Sequence, residues 1–196
     1  MVRPRSEEKD RALVEAAIRL FLEKGVKGTT IQDIAKAANV AVGTVYVYYK
    51  EKGEIVRRVA FAFAERHGDF AAEILGSRRR PLSKLNAYIL GFYDMWQPFG
   101  ENTKGAMELA EGVFKYAPET PGIAQAEFNG TVEKILSEAQ EAGMRVEKPA
   151  EEARWIALAT AAFFPLAGTP AVRPMAERLT REDLEGLLKW IGRKLG

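Results

Sequence analysis

Little in this chain could make or break a covalent bond. It contains no cysteine, which excludes disulfide frameworks and Cys-based zinc sites. His67 is the single histidine, and a metal site needs several ligands, so no metal and no other cofactor is expected. No nucleophile–base pair, glycine-rich phosphate loop or metal cluster can be read, and the Asp and Glu positions fall on helix surfaces. The expectation is a protein that binds and does not catalyse. The stretch to weigh runs from Thr29 to Lys50, where polar side chains alternate with apolar ones at helical spacing.

Two short helices must position that stretch. Thr29 or Thr30 can cap the first, Ile31 to Ala38, whose apolar residues Ile31, Ile34, Ala35 and Ala38 share a face. Ala35 is small, as two helices crossing at about 90–120° require at their closest approach. Asn39 falls where the chain must turn sharply, and asparagine is the best non-glycine residue for a left-handed backbone. Val40 plugs the space between the helices. The second helix, Val42 to about Tyr49, turns Val45 and Tyr49 inward and leaves Gly43, Thr44, Val47 and Tyr48 outward. Isolated helices below about 12–15 residues are marginal in water, so both need a platform. Flanking helices at 7–24 and 52–75 supply it. The first carries Ser6 as its N-cap, the stripe Leu13, Ala16, Ala17, Leu20 and Phe21, and Gly25 as terminator. A head of this kind presents its second helix to the DNA major groove while the first crosses the backbone.

The first 60 or so residues resemble the DNA-binding domain of the TetR family of transcriptional regulators. The resemblance rests on Ala16-Ala17, Leu20-Phe21, Lys24-Gly25, Thr30-Ile31-Gln32-Asp33-Ile34-Ala35 and Val40. It continues through Gly43-Thr44-Val45-Tyr46, Tyr48-Tyr49-Lys50, Lys52 and Glu54-Ile55. It implies that Thr30 binds a phosphate at the start of the first short helix. It also implies that Val42, Gly43, Thr44, Tyr46 and Val47 face the major groove, and that Tyr48, Tyr49, Lys50 and Lys52 clamp the DNA backbone. Core packing is the competing role for Tyr46 and Tyr49. Three positions depart from the family pattern. Asn39 replaces the usual turn glycine, Ala41 stands where Ser or Thr commonly caps, and Gly53 replaces a helix former just after Lys52. Losing the cap costs roughly 0.5–2 kcal/mol locally, and Gly53 is expected to loosen the start of the fourth helix.

The remainder reads as helical throughout, giving an all-α fold of about nine helices with no strand. Leu85, Tyr88, Ile89, Phe92, Tyr93 and Trp96 share one helical face, and Pro98 with Gly100 closes that helix. Further helices are expected at 104–116, 123–142 and 150–164, and a last one opens with Thr180-Arg181-Glu182-Asp183. The expected division is a DNA-binding head at 7–67 and an effector-binding and dimerisation body at 68–196. Charge divides similarly. Residues 1–60 carry 12 Lys/Arg against 8 Asp/Glu, the rest 17 against 19, as a phosphate-contacting head on a neutral body would.

By the same resemblance the body binds a small molecule and dimerises. Tyr88, Phe92, Tyr93, Trp96 and Phe114 are the preferred lining of an apolar site, an ordinary aromatic core being the alternative. Arg78-Arg79-Arg80 would suit the phosphates of an acyl-CoA, although such a run is more often a solvated loop. Trp155, Leu158, Ala159, Ala162, Phe163, Leu187, Leu188 and Ile191 are the candidate homodimer contacts, with burial inside the monomer as the competing reading. The charged start lacks a signal peptide's apolar core, and Trp155 to Ala167 is too short to span a bilayer, so a cytoplasmic protein without membrane partners is expected. The functional expectation is a repressor released from a palindromic DNA operator by an apolar or aromatic effector. The rival is a helical apolar-ligand carrier that reads no DNA sequence.

Overall fold

The computed structural model describes residues 6–101, 103–164 and 179–196. Among them the chain is all-α, with nine α-helices and no strand. They are α1 (Glu7–Gly28), α2 (Ile31–Ala37), α3 (Val42–Tyr48), α4 (Lys52–Gly76), α5 (Pro81–Glu101), α6 (Thr103–Tyr116), α7 (Thr120–Glu141), α8 (Pro149–Thr160) and α9 (Arg181–Leu195). A 3-10 turn at Ala161–Phe163 follows α8. Three ends differ from the sequence reading. α5 runs through Pro98 to Glu101 instead of closing there. α7 starts at Thr120 because Pro121 falls in its first turn, where a missing N–H breaks no helical bond. The helix expected over 150–164 tightens after Thr160, whose hydroxyl donates to the Ile156 carbonyl at 2.8 Å.

Two packing units share these helices. One is Met1–Ala64 with Pro98–Thr120, the other Glu65–Gln97 with Pro121–Gly196. The first therefore takes in α6 as well as the three N-terminal helices and the start of α4.

In the first unit, Leu13, Ala17, Phe21, Ile34, Val45, Ile55, Val56 and Val59 make a buried core, each from the apolar face of its own helix. α1 breaks at Gly25, whose φ of +79° is left-handed and disfavours any residue with a Cβ, and resumes for one turn. α6 lies so close to α1 that a Cβ on Gly105 would sit 2.2 Å from the Leu22 carbonyl oxygen. From α6, the Glu108 carboxylate accepts the Lys27 backbone N–H at 2.9 Å. The Arg57 guanidinium donates to the Tyr116 carbonyl at 3.0 Å and pairs with Glu119 at 2.5 Å.

The two threonines open to question at the start of α2 take separate tasks. Thr30 is the cap: its hydroxyl accepts the Asp33 N–H at 3.1 Å while the Asp33 carboxylate accepts the Thr30 N–H at 3.0 Å. Thr29 is fully buried, and its hydroxyl donates to the carbonyls of Gly25 at 2.8 Å and Leu20 at 3.2 Å. These bonds from the Thr30 backbone and side chain hold the Asp33 carboxyl below its ordinary range. A depressed carboxyl stabilises the fold above its unfolded pKa and loses that contribution as pH falls through the folded value. Thr30→Ala should cost about 0.5–2 kcal/mol of stability at pH 7. Denaturant titration should show the deficit shrinking in acid, where wild type loses the same interaction.

The second unit is built around Leu85, Tyr88, Ile89, Phe92, Tyr93, Phe128, Val132, Ile135, Leu136, Leu184 and Leu188, all buried. Lys84 is buried among them without an uncompensated charge. Its ammonium donates to both Glu138 carboxylate oxygens, at 2.7 and 3.0 Å, and to the Leu75 carbonyl at 2.8 Å. α9 opens with a second capping box, Thr180 with Asp183, at the position the sequence marked.

Candidate functional site

The turn between α2 and α3 carries the left-handed residue where expected: Asn39 has φ +54°. Around it the Val40 N–H reaches the Ala35 carbonyl at 2.9 Å and the Asn39 N–H the Lys36 carbonyl at 3.2 Å. This is the bonding of a Schellman C-cap, which satisfies carbonyls the short α2 would otherwise leave bare. Buried Ala35 and Val45 bring the helices together. Ala41 supplies no side-chain cap to α3, and its carbonyl accepts the Thr44 N–H at 2.8 Å.

α3 has two unlike sides. Gly43, Tyr46 and Val47 are exposed, with exposed Lys50 just beyond the helix, and Val42 and Thr44 are half-buried at its margin. Nothing lies within 4 Å of where a Cβ on Gly43 would be, so that surface is open. The other side is locked. Tyr49 is buried, and its hydroxyl donates to Asp10, whose carboxylate also accepts the Arg58 Nε–H at 3.0 Å. Tyr48, placed outward by helical spacing, is buried as well. Its hydroxyl accepts the Ser6 N–H at 2.6 Å and lies 3.2 Å from the Ser6 carbonyl. The side chain folds back to reach the start of α1, a partner 42 residues away that local spacing does not reveal. Both tyrosines thus spend their hydroxyls positioning α3.

Lys52 is engaged in a similar way. Its ammonium donates to the carbonyls of Val26 at 2.6 Å and Thr29 at 2.9 Å, neutralising the C-terminal end of α1. Thr30 is exposed, with its hydroxyl and amide committed to the capping box. Gly53 has a packing reason to be glycine. A Cβ there would lie 2.5 Å from the Tyr116 ring, so the glycine makes room for α6.

The five aromatic candidates separate. Tyr88, Phe92 and Tyr93 are buried and Trp96 is half-buried in the second unit. Phe114 belongs to the first unit, on α6, and is 52% exposed. It does not join the other four. Phe128 from α7 and Phe164 after α8 do, with Phe92–Phe128 and Phe92–Phe164 centroids 5.3 and 4.9 Å apart. His67, given no binding role by the sequence, is in this cluster, 97% removed from solvent, with its ring 4.4 Å from that of Phe92. Burial pushes its pKa down to about 4 and raises that of Tyr88, so both are neutral at pH 7. Among the described residues no group of three or more His, Cys, Asp or Glu could hold a metal.

The interface candidates divide too. Phe163, Leu188 and Ile191 are buried in the second unit's own core. Trp155 at 59% and Leu158 at 66% are exposed on one face of α8 with Ala159, while Ala162 and Leu187 are half-buried. Trp190 on α9, 52% exposed, was missed by a reading that followed the helix's apolar stripe. No described helix is long and apolar enough to cross a membrane.

A locked platform carrying a short, open helix after a tight left-handed turn, in a chain with a separate helical unit built on an aromatic core, defines a helix-turn-helix protein with an appended helical domain. Residues 13–59 match the family model of bacterial regulatory proteins, tetR family. Over this segment the chain is similar to regulators of the TetR family. The chain is similar to the transcriptional repressor KstR2 of Mycolicibacterium smegmatis, with 29% identity over 82 residues, 42% of this chain and 40% of that protein's length. Likeness of fold extends further. A solved structure described as the molecular basis for control of antibiotic production by bacterial hormones superposes at TM-score 0.73 with 22% identity, covering 97% of this chain and 99% of that one. SmeT, the repressor of a Stenotrophomonas maltophilia multidrug efflux pump, superposes at 0.62 with 22% identity, covering 92% and 89%.

Proposed function

We propose that this protein is a sequence-specific transcriptional regulator, a homodimeric repressor that a small apolar or aromatic effector releases from a palindromic operator. The observation that carries it is the two-sidedness of α3. One side is held by hydrogen bonds to Ser6 and Asp10, and the other offers Gly43, Tyr46, Val47 and Lys50 to solvent. A helix rigidly held and open on one side is what insertion into the major groove needs. The family whose model residues 13–59 match is one of regulators rather than enzymes. The repressor reading is supported by KstR2 and SmeT, which carry that description.

We assign DNA reading to 7–67 and effector binding with dimerisation to 68–196, except that 65–67 pack with the body and 98–120 with the head. The effector site is the aromatic cluster of Tyr88, Phe92, Tyr93 and Trp96. The phosphate-binding reading of Arg78, Arg79 and Arg80, all exposed between α4 and α5, would extend it to an acyl-CoA. Trp155, Leu158 and Ala159 on α8, with Trp190 on α9, are the apolar side chains available for a twofold interface. Two heads held by such an interface read half-sites on one face of DNA, and effector binding releases the operator by favouring a form that binds DNA less well.

Selection from a randomised DNA pool at moderate salt tests this reading: a palindromic consensus is the expected result. Recovery of salt-labile, sequence-independent binding alone, with folded and ligand-free protein, would move the weight to an apolar-ligand carrier. The two lysines then respond differently. Lys50→Ala should keep wild-type stability, weaken binding to all sequences alike and lower the salt slope by about 1. Lys52→Ala should destabilise the head because the carbonyls of Val26 and Thr29 lose their donor. Thermal melts alongside salt-dependent binding isotherms separate the two.

A further inference from the structure

The second unit holds a buried imidazole, half of whose polar capacity the fold leaves unused. His67 is 3% exposed, and its Nε2 lies 2.7 Å from the Tyr88 hydroxyl. Its other ring nitrogen, Nδ1, is buried and makes no hydrogen bond among the described residues. Aromatic rings surround the imidazole. Phe92 lies at 4.4 Å and Tyr88 at 5.8 Å between centroids, with Phe128 5.4 Å from Tyr88. Phe164, half-buried, closes on Phe92 at 4.9 Å and Phe128 at 6.0 Å. Buried polar atoms in native proteins nearly always find partners, and one that does not calls for an explanation. A leucine in that place would pack without leaving an atom unsatisfied.

We propose that His67 is the polar anchor of the effector site: its Nδ1 takes the hydroxyl of a neutral, ring-bearing molecule that seats among Tyr88, Phe92, Phe128 and Phe164. This rests on reading the second unit as the effector domain and names the chemical class that the unit recognises. Two arguments select the class. An anionic ligand would find no counter-charge in the imidazole or the phenol, both neutral at pH 7 in this burial, and would be repelled by Glu127, whose charge acts on Tyr88. A neutral imidazole carries one N–H and one lone pair, so the bond to Tyr88 leaves Nδ1 as either acceptor or donor. A hydroxyl meets both cases, because it donates and accepts. A hydrocarbon ring meets neither and leaves Nδ1 as it is in the free protein. Phe164, at the half-buried edge of the cluster, is the ring whose movement admits the ligand.

Because the chain has a single histidine, isotopic labelling of histidine reports this site alone. Phenol and toluene, nearly equal in shape, are the probes, titrated into the full-length protein with the imidazole nitrogens followed by NMR. Phenol should bind about tenfold more tightly than toluene, the worth of one ordinary hydrogen bond, and should move the Nδ1 resonance. His67→Leu should remove the preference. His67→Leu, which leaves the Tyr88 hydroxyl its bond to the Thr131 side chain, should melt no lower than wild type, whereas a merely structural histidine would make it melt lower. Equal affinity for the two probes, an unmoved Nδ1 resonance up to low-millimolar phenol, or a preference that survives in His67→Leu would overturn the assignment. Release of selected DNA by phenol is measured separately. Its failure beside a His67-dependent preference would count against the regulator reading and leave the anchor standing.

Discussion

Gly43→Glu should reduce affinity for the selected DNA by on the order of a hundredfold or more while leaving the fold intact. A new side chain at this position meets nothing within 4 Å, so the protein has no steric reason to resist it. Replacing glycine inside a helix gains roughly 0.5–1 kcal/mol of backbone stability, and the melting temperature should hold or rise slightly. At the DNA surface the same change does two unfavourable things. In the proposed complex it would fill the gap through which α3 approaches the base edges, and it would set a carboxylate against phosphates whose neutralisation supplies a large share of the binding free energy. Paired melting curves and binding isotherms check both halves. Unchanged affinity in a stable variant would show that α3 does not enter the groove.

Gly105→Val should have the largest effect on the fold. The added Cβ would lie 2.2 Å from the Leu22 carbonyl oxygen and 2.7 Å from that of Phe21, against backbone that cannot turn aside. Overpacking costs about 1–3 kcal/mol where side chains can give way, and here α6 itself must retreat from α1. Retreat would also strain the Glu108 bond to the Lys27 N–H. A drop in melting temperature of roughly 6–12 °C follows from about 3 kcal/mol in a chain of this length. Gly130→Ala, on α7 with nothing near its added Cβ, is the matched control and should not lower the melting temperature. Similar stability of the two variants would mean that α6 does not pack against α1 this closely.

What could be read in advance was what local physics decides. Apolar periodicity marked the helices, and the left-handed turn at Asn39 followed from the few residues that tolerate positive φ. The capping boxes at Thr30 and Thr180 were visible as spacing, though Thr29 and Thr30 could be told apart only once Thr29 met the carbonyls of Leu20 and Gly25. The misreadings share one cause, a partner distant in sequence. Gly53 looked like a weakness until the Tyr116 ring was seen to occupy the space its side chain would fill. Tyr48 looked exposed until its hydroxyl was found on Ser6. Periodicity likewise marks Leu188 and Ile191 as apolar without saying whether their own core or a second copy covers them. Here it is their own core. His67 carried no sequence signal because a lone histidine acquires meaning only from what surrounds it.

The bond between Tyr48 and Ser6 has a practical side. Because the backbone of Ser6 is fastened to Tyr48 at the end of α3, whatever pulls on Ser6 also pulls on the helix that carries the proposed reading surface. An affinity tag or fluorescent fusion joined ahead of Ser6 would load that bond. Labels for binding work belong instead after Gly196, past α9, in the unit that does not hold α3.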